Sequence, residues 1–182
     1  AQLVRLRRDR PEELVLLDFL DEDDPEEQAL LRRSLTAEGA IVASDAIAPM
    51  PGSGPFDPEE WPLGPGAATH PRTAGCFSRA LRLSRQEGAT WLQALARCTL
   101  LPARVLERSC PSMRNKGRLQ VGADADVVVF DPTAISDAAT YSQSTSPSRG
   151  VRQVLVNGVA VVSDGLLVPG ARPGRAVLSA IG

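Results

Sequence analysis

The sequence predicts an α/β fold on three observations. Apolar runs of strand length flank a well-capped helical segment near the N-terminus, and two later segments carry apolar residues at helical spacing. The last third then changes to β-branched runs broken by Asn-Gly and Asp-Pro pairs. A chain of 182 residues is long enough to bury one core. Its 43% hydrophobic and 23% charged residues are the balance of a folded, soluble protein.

The first predicted strand is residues 13–20, where Leu14-Val15-Leu16-Leu17-Asp18-Phe19-Leu20 has the length of a strand buried on both faces. The acidic stretch after it starts a helix. Asp24 can cap, Pro25 suits the first helical position, and the acids favour the positive end of the helix dipole. This helix runs to about Ala37 and Gly39 stops it. Ala40-Ile41-Val42-Ala43 makes a second short buried strand ending at Ser44-Asp45, completing a β-α-β unit. From Ile47 to Thr69 the prolines at 49, 51, 55, 58, 62 and 65 disfavour regular structure, and a loop of this length is functional or disordered.

Phe77 to Gln86 carries apolar residues at helical spacing. Thr90 caps a further helix containing Trp91, Leu92, Leu95 and Ala96, which Pro102 ends or kinks. Asp126 to Phe130 is a β-branched strand closed by Asp131-Pro132. Val151–Val156 and Val159–Val162 flank Asn157-Gly158, a pair that takes the positive φ angles of a type I′ hairpin. The texture changes near Gly117, dividing the chain into an α/β part (1–116) and a β-rich part (117–182). Thr140 to Gly150 is a polar connector, and no internal repeat is visible.

Composition excludes several classes of partner. A net charge of -2, with arginines not interleaved with aromatics, leaves no footprint for nucleic acid. No run of about twenty apolar residues spans a bilayer, and the four arginines in Ala1–Arg10 lack an apolar signal core, so the chain reads as cytoplasmic with no membrane partner. Cys76, Cys98 and Cys110 fit neither a disulfide framework nor a CxxC zinc site and read as reduced packing residues. The abrupt start, without an initiating Met, predicts residues upstream or trimming at that point.

Few residues carry chemistry. Asp45 stands at the C-terminal end of an inferred parallel strand, where α/β folds place catalytic groups. A carboxylate there serves as a general base, or simply caps the following turn. Arg72, in His70-Pro71-Arg72, offers a planar fork for a substrate carboxylate, or is a solvated surface residue. His70 is the single histidine and reads as structural. Catalytic zinc takes about three protein ligands, so no metal site is assigned to this chain. The glycines between Gly117 and Gly122 precede a strand, not a helix, and no Lys-Ser or Lys-Thr follows, so they form a turn and not a phosphate loop.

Lys116-Gly117-Arg118-Leu119-Gln120-Val121-Gly122-Ala123-Asp124-Ala125-Asp126-Val127-Val128-Val129-Phe130-Asp131 resembles the segment that leads into the β-sandwich of amidohydrolase-superfamily enzymes. Leu155-Val156-Asn157-Gly158 with Asp164-Gly165 resembles their terminal hairpin. Ala43-Ser44-Asp45, the stretch from His70 to Phe77, and Gly170-Ala171-Arg172-Pro173-Gly174-Arg175 are similar to the N-acyl-D-amino-acid deacylases. Ala46, the long loop before His70 and Arg97-Cys98-Thr99-Leu100-Leu101-Pro102-Ala103 look most like the N-acyl-D-glutamate deacylase branch.

The resemblance covers about Leu14 to Arg175 and the last third or so of a family member. It implies the C-terminal part of a metal-dependent (β/α)8 barrel in residues 1–116 and a small β-sandwich in 117–182. By resemblance, Asp45 matches the catalytic carboxylate that shuttles a proton for a zinc-bound hydroxide, and Arg72 the residue that holds the α-carboxylate of an N-acyl-D-amino acid. The zinc ligands of the intact enzyme lie outside this chain, which implies a missing N-terminal barrel segment or partner chain and an inactive isolated chain. A non-catalytic remnant or interaction subunit is the rival reading. A free-standing β-rich binding module leaves Asp45 unexplained.

Overall fold

The structure, a computed structural model, describes residues 21, 23–51, 55–57, 60, 63 and 66–178. The first predicted strand, residues 13–20, lies outside them. Helix α1 spans Pro25–Thr36. As its composition dictates, the Asp24 carboxylate accepts the backbone N–H groups of Glu26 at 2.7 Å and Glu27 at 3.4 Å, and Pro25 opens the first turn, where no N–H is needed. Gly39 turns the chain with φ 75°.

Ala40–Ala43 is not a strand. A strand needs a ladder, and among the described residues no neighbour pairs with this segment. Instead the buried Val42 donates its N–H to the carbonyl of Arg97 at 2.9 Å. The proline-rich loop is not wholly irregular either. Strand β1 (Met50–Pro51) pairs antiparallel with β2 (Ala67–Ala68), closing the base of the loop.

Helix α2 spans Arg72–Gln86, five residues longer at its start than apolar spacing predicts. The added turn, Arg72-Thr73-Ala74-Gly75-Cys76, packs through small residues. The position of a Cβ on Gly75 lies 3.2 Å from the Asp137 side chain, so close approach selects that turn, and the apolar spacing carries no signal of it. Thr90 caps α3 (Trp91–Cys98) through a full capping box with Gln93. The chain breaks at Thr99 and α4 (Leu100–Leu106) follows. Pro102 therefore does not cause the break. It sits in the first turn of α4, where its missing N–H costs nothing. A 3₁₀ turn, Pro111–Asn115, leads to the glycine-rich turn.

Strands β3 (Val127–Phe130), β4 (Val151–Val156), β5 (Val159–Ser163) and β6 (Leu166–Leu167) form one antiparallel meander. Asn157 and Gly158, at φ 48° and 80°, make the β4–β5 turn. Two acceptors fix its position: Asp126 Oδ1 takes the Asn157 N–H at 2.8 Å, and the Ala125 carbonyl takes that of Gly158 at 2.9 Å. Lys116 Nζ holds the same turn by bridging Asp124 at 2.9 Å and Asp126 at 2.6 Å. That hydrogen bond to Lys116 and the Asn157 N–H lower the pKa of Asp126.

The core crosses position 117. Leu81 of α2 and Ala94 of α3 pack on Ile135, with Trp91, Phe130 and Val151 around them. Trp91 and Phe130 meet at 5.5 Å between ring centroids. The polar connector is a strut against α2: Ser148 Oγ donates to the Ala74 carbonyl at 2.7 Å and lies 2.6 Å from Ser78 Oγ. Nearby, Arg82 grips Asp137 Oδ1 through Nε at 2.9 Å and Nη2 at 2.7 Å. This packing fixes α2, and with it the residues at its N-terminus.

Candidate active site

Asp45 and Arg72, 27 positions apart, meet. Arg72 donates from Nε to the Asp45 carbonyl at 2.7 Å and places Nη2 3.0 Å from Asp45 Oδ2. Asp45 has φ 46°, a left-handed conformation that a non-glycine residue adopts at a cost, so the guanidinium holds both the carbonyl and the carboxylate of a strained residue. The Asp45 side chain is 88% exposed and that of Arg72 is 33% exposed. An ion pair this open contributes about 0–1 kcal/mol, so it orients the two residues more than it stabilises the fold.

Local chemistry brings them together. The closed base of the proline-rich loop directs Ile47 back to the start of α2, where its carbonyl accepts from Thr69 Oγ1 and Thr73 Oγ1, each at 3.0 Å. The two hydroxyls are themselves 2.8 Å apart. In the sequence this clamp leaves only the i, i+4 spacing of Thr69 and Thr73 beside a helix start, a pattern too common to identify it. His70 lies beside Arg72, accepting the Arg72 backbone N–H at Nδ1 (3.1 Å), and its ring meets Tyr141 edge-on at 5.3 Å.

A cavity of about 330 Å³ opens beside this cluster. Arg72, His70, Tyr141 and Arg79 give it a polar side, and Leu31, Leu35, Val42 and Leu83 an apolar floor. Asp45 is not among its lining residues. Cys76 is, but burial pushes its thiol pKa up against the opposing charges of Arg72 and Arg79. Burial likewise pushes Cys98 up to about 11, with Cys76 adding and Arg97 opposing. Cys76, Cys98 and Cys110 are all free cysteines.

The profile described as "Amidohydrolase family" matches residues 57–162, more than half of the chain. The chain belongs to this family. Over 111 residues it is 45% identical to an N-acyl-D-glutamate deacylase from Alcaligenes xylosoxydans xylosoxydans, a match covering 60% of this chain and 21% of that protein. It is 32% identical over 151 residues to an N-acyl-D-aspartate deacylase from the same organism, covering 82% and 26%.

Among solved structures it is similar to the N-acyl-D-glutamate deacylase from Bordetella bronchiseptica complexed with zinc and a phosphonate inhibitor, with a TM-score of 0.59 and 36% identity over 85% of this chain and 27% of that one. A D-aminoacylase described with a binuclear metal centre gives a TM-score of 0.59 at 28% identity, covering 79% and 26%. The amidohydrolase chain thus spans about a quarter of the length of these relatives. The α/β class is shared, and no helix among the described residues is long and apolar enough to cross a membrane.

Proposed function

We propose that this amidohydrolase chain supplies the last part of a (β/α)8 barrel and its attached β-sandwich, in a metal-dependent hydrolase that removes the acyl group from N-acyl-D-amino acids. N-acyl-D-glutamate is the favoured substrate, the branch in which identity is 45%. One observation carries the reading. The fork of Arg72 lies on Asp45, so a basic carboxylate and a carboxylate-binding cation occupy one place at the start of α2.

In this reading Asp45 accepts a proton from the attacking water and returns it to the leaving amine. Arg72 holds the substrate's α-carboxylate. Its Nη2 exchanges the Asp45 carboxylate for that of the substrate, while Nε stays on the Asp45 carbonyl and keeps the two residues in register.

Zinc, present in the deacylase relative, does not fit the described residues of this chain. Among the described residues no group of three or more His, Cys, Asp or Glu can hold a metal, and the sequence has one histidine. We place the metal ligands in a complementary barrel segment, joined covalently or supplied as a partner chain. Apolar side chains left exposed on either side of Asp45 in the sequence, Ile41, Ile47 and Met50, support this. The missing ligand set and the exposed Asp45 also favour a second reading, an interaction subunit without catalysis.

The carboxylate grip has its own test. In the enzyme assembled from this chain and the complementary segment, Arg72→Lys keeps the charge but loses the fork. The expected cost is about 1.5–3 kcal/mol in kcat/KM for a free-carboxylate substrate. A substrate amidated at the α-carboxylate is expected to lose far less. Equal losses for the two substrates would make the effect of Arg72 structural.

A further inference from the structure

We propose that His70 is a positioning residue for Arg72. Helix α2 begins without a conventional cap: the residue before it, Pro71, has helical dihedrals, φ −51° and ψ −30°, and makes no side-chain capping bond. The free N–H groups of a first helical turn need acceptors, and His70 supplies two of them. Its Nδ1 takes the Arg72 N–H at 3.1 Å, and its carbonyl takes the Thr73 N–H at 2.9 Å.

A neutral imidazole that accepts at Nδ1 carries its proton at Nε2, so the contact selects one tautomer. Tyr141, reaching back from the connector, packs edge-on against the ring at 5.3 Å and 78° and restricts its rotation. Contacts therefore run in series, from the Tyr141 ring to the His70 ring, to the Arg72 backbone and through its side chain to the Asp45 carbonyl. Moving the imidazole moves the root of the guanidinium.

The value of this device for catalysis rests on the proposed role of Arg72, but the geometry is testable without it. In nitrogen-15 NMR of the 182-residue chain, His70 is expected as the Nε2-protonated tautomer, and the Arg72 Nε–H is expected to resist exchange. His70→Asn offers an amide oxygen at the position of Nδ1 and is expected to keep that resistance. His70→Leu offers no acceptor, and exchange of both the Arg72 amide and its Nε–H is expected to quicken about fivefold or more. A cap of purely local importance would leave the Nε–H, on the far end of the side chain, unmoved.

A ring protonated at Nδ1, an unchanged Nε–H in His70→Leu, or equal loss in the Asn and Leu variants would overturn the proposal. If His70→Leu does not fold, the tautomer and the Asn variant decide it. Arg72→Lys with free and amidated substrates tests the carboxylate grip separately, so failure of that reading is distinguishable from failure of this one.

Discussion

In the proposed deacylase, assembled with its complementary segment, Asp45→Asn is expected to lower kcat by about 10² or more while metal content and fold persist. The choice of Asn follows from the backbone. Asp45 sits at φ 46°, which Asn tolerates nearly as well as Asp and Ala does not, so Asp45→Ala would mix strain with lost chemistry. The contact from Arg72 Nε to the carbonyl of residue 45 is made by backbone and survives the substitution. The amide oxygen of Asn can still accept from Nη2. What is lost is the basicity that, in the proposed mechanism, takes a proton from water and returns it to the amine. Steady-state kinetics at saturating substrate, with metal analysis of the same sample, measures this, and a near-normal kcat removes Asp45 from the chemistry.

The second large effect is on stability. Gly117 has φ 69°, and a Cβ there would lie 2.5 Å from the carbonyl oxygen of Thr99 and 2.6 Å from its carbon, at the break between α3 and α4. Backbone on both sides leaves nothing flexible to give way. Gly117→Ala is expected to destabilise the chain by about 2–5 kcal/mol, combining left-handed strain with overpacking. Gly39→Ala is the matched control: φ is 75° but nothing lies within 4 Å of the added carbon, so only the conformational cost of about 1–2 kcal/mol applies. Denaturant midpoints of the two variants compare them directly. Equal losses would show that Gly117 is required for its φ alone.

Both effects belong to segments that the sequence marks, and they show where such marks stop. Local rules carried the caps at Asp24 and Thr90, the stop at Gly39 and the Asn157-Gly158 turn, because each depends on chemistry within four residues. The first turn of α2 escaped because it packs by closeness, with Gly75 against Asp137, and an absent side chain leaves no apolar period to read. Ala40–Ala43 has the composition of a buried strand, but composition does not supply a partner, and Val42 bonds to the end of a helix instead. The core joining Leu81 and Ala94 to Ile135 crosses the change in texture near Gly117, since texture reports local conformation and not which faces meet.

The candidate site divides in the same way. Asp45 and Arg72 stood as candidates by residue type, with their roles given only by resemblance, and the fold brings the two to 3.0 Å. Their dependence on His70, Tyr141 and the Thr69–Thr73 clamp was not. Tyr141 lies 71 positions from His70 on a connector whose polar composition suggests only solvent, and its role appears once Ser148 and Asp137 anchor that connector to α2. The left-handed backbone at Asp45 has no sequence signature, because Asp is common in both extended and left-handed positions of turns.

The measurement that bears most directly on the account is metal content and deacylase activity of the purified 182-residue chain, alone and after mixing with a complementary barrel segment that carries the metal ligands. Alone, the chain is expected to hold no stoichiometric zinc and to leave N-acetyl-D-glutamate intact, since one histidine and three dispersed cysteines cannot build the centre. Mixed, it is expected to gain metal and turnover together. Tight one-to-one zinc with turnover by the chain alone, or an assembled complex that binds zinc and hydrolyses nothing, would contradict the account.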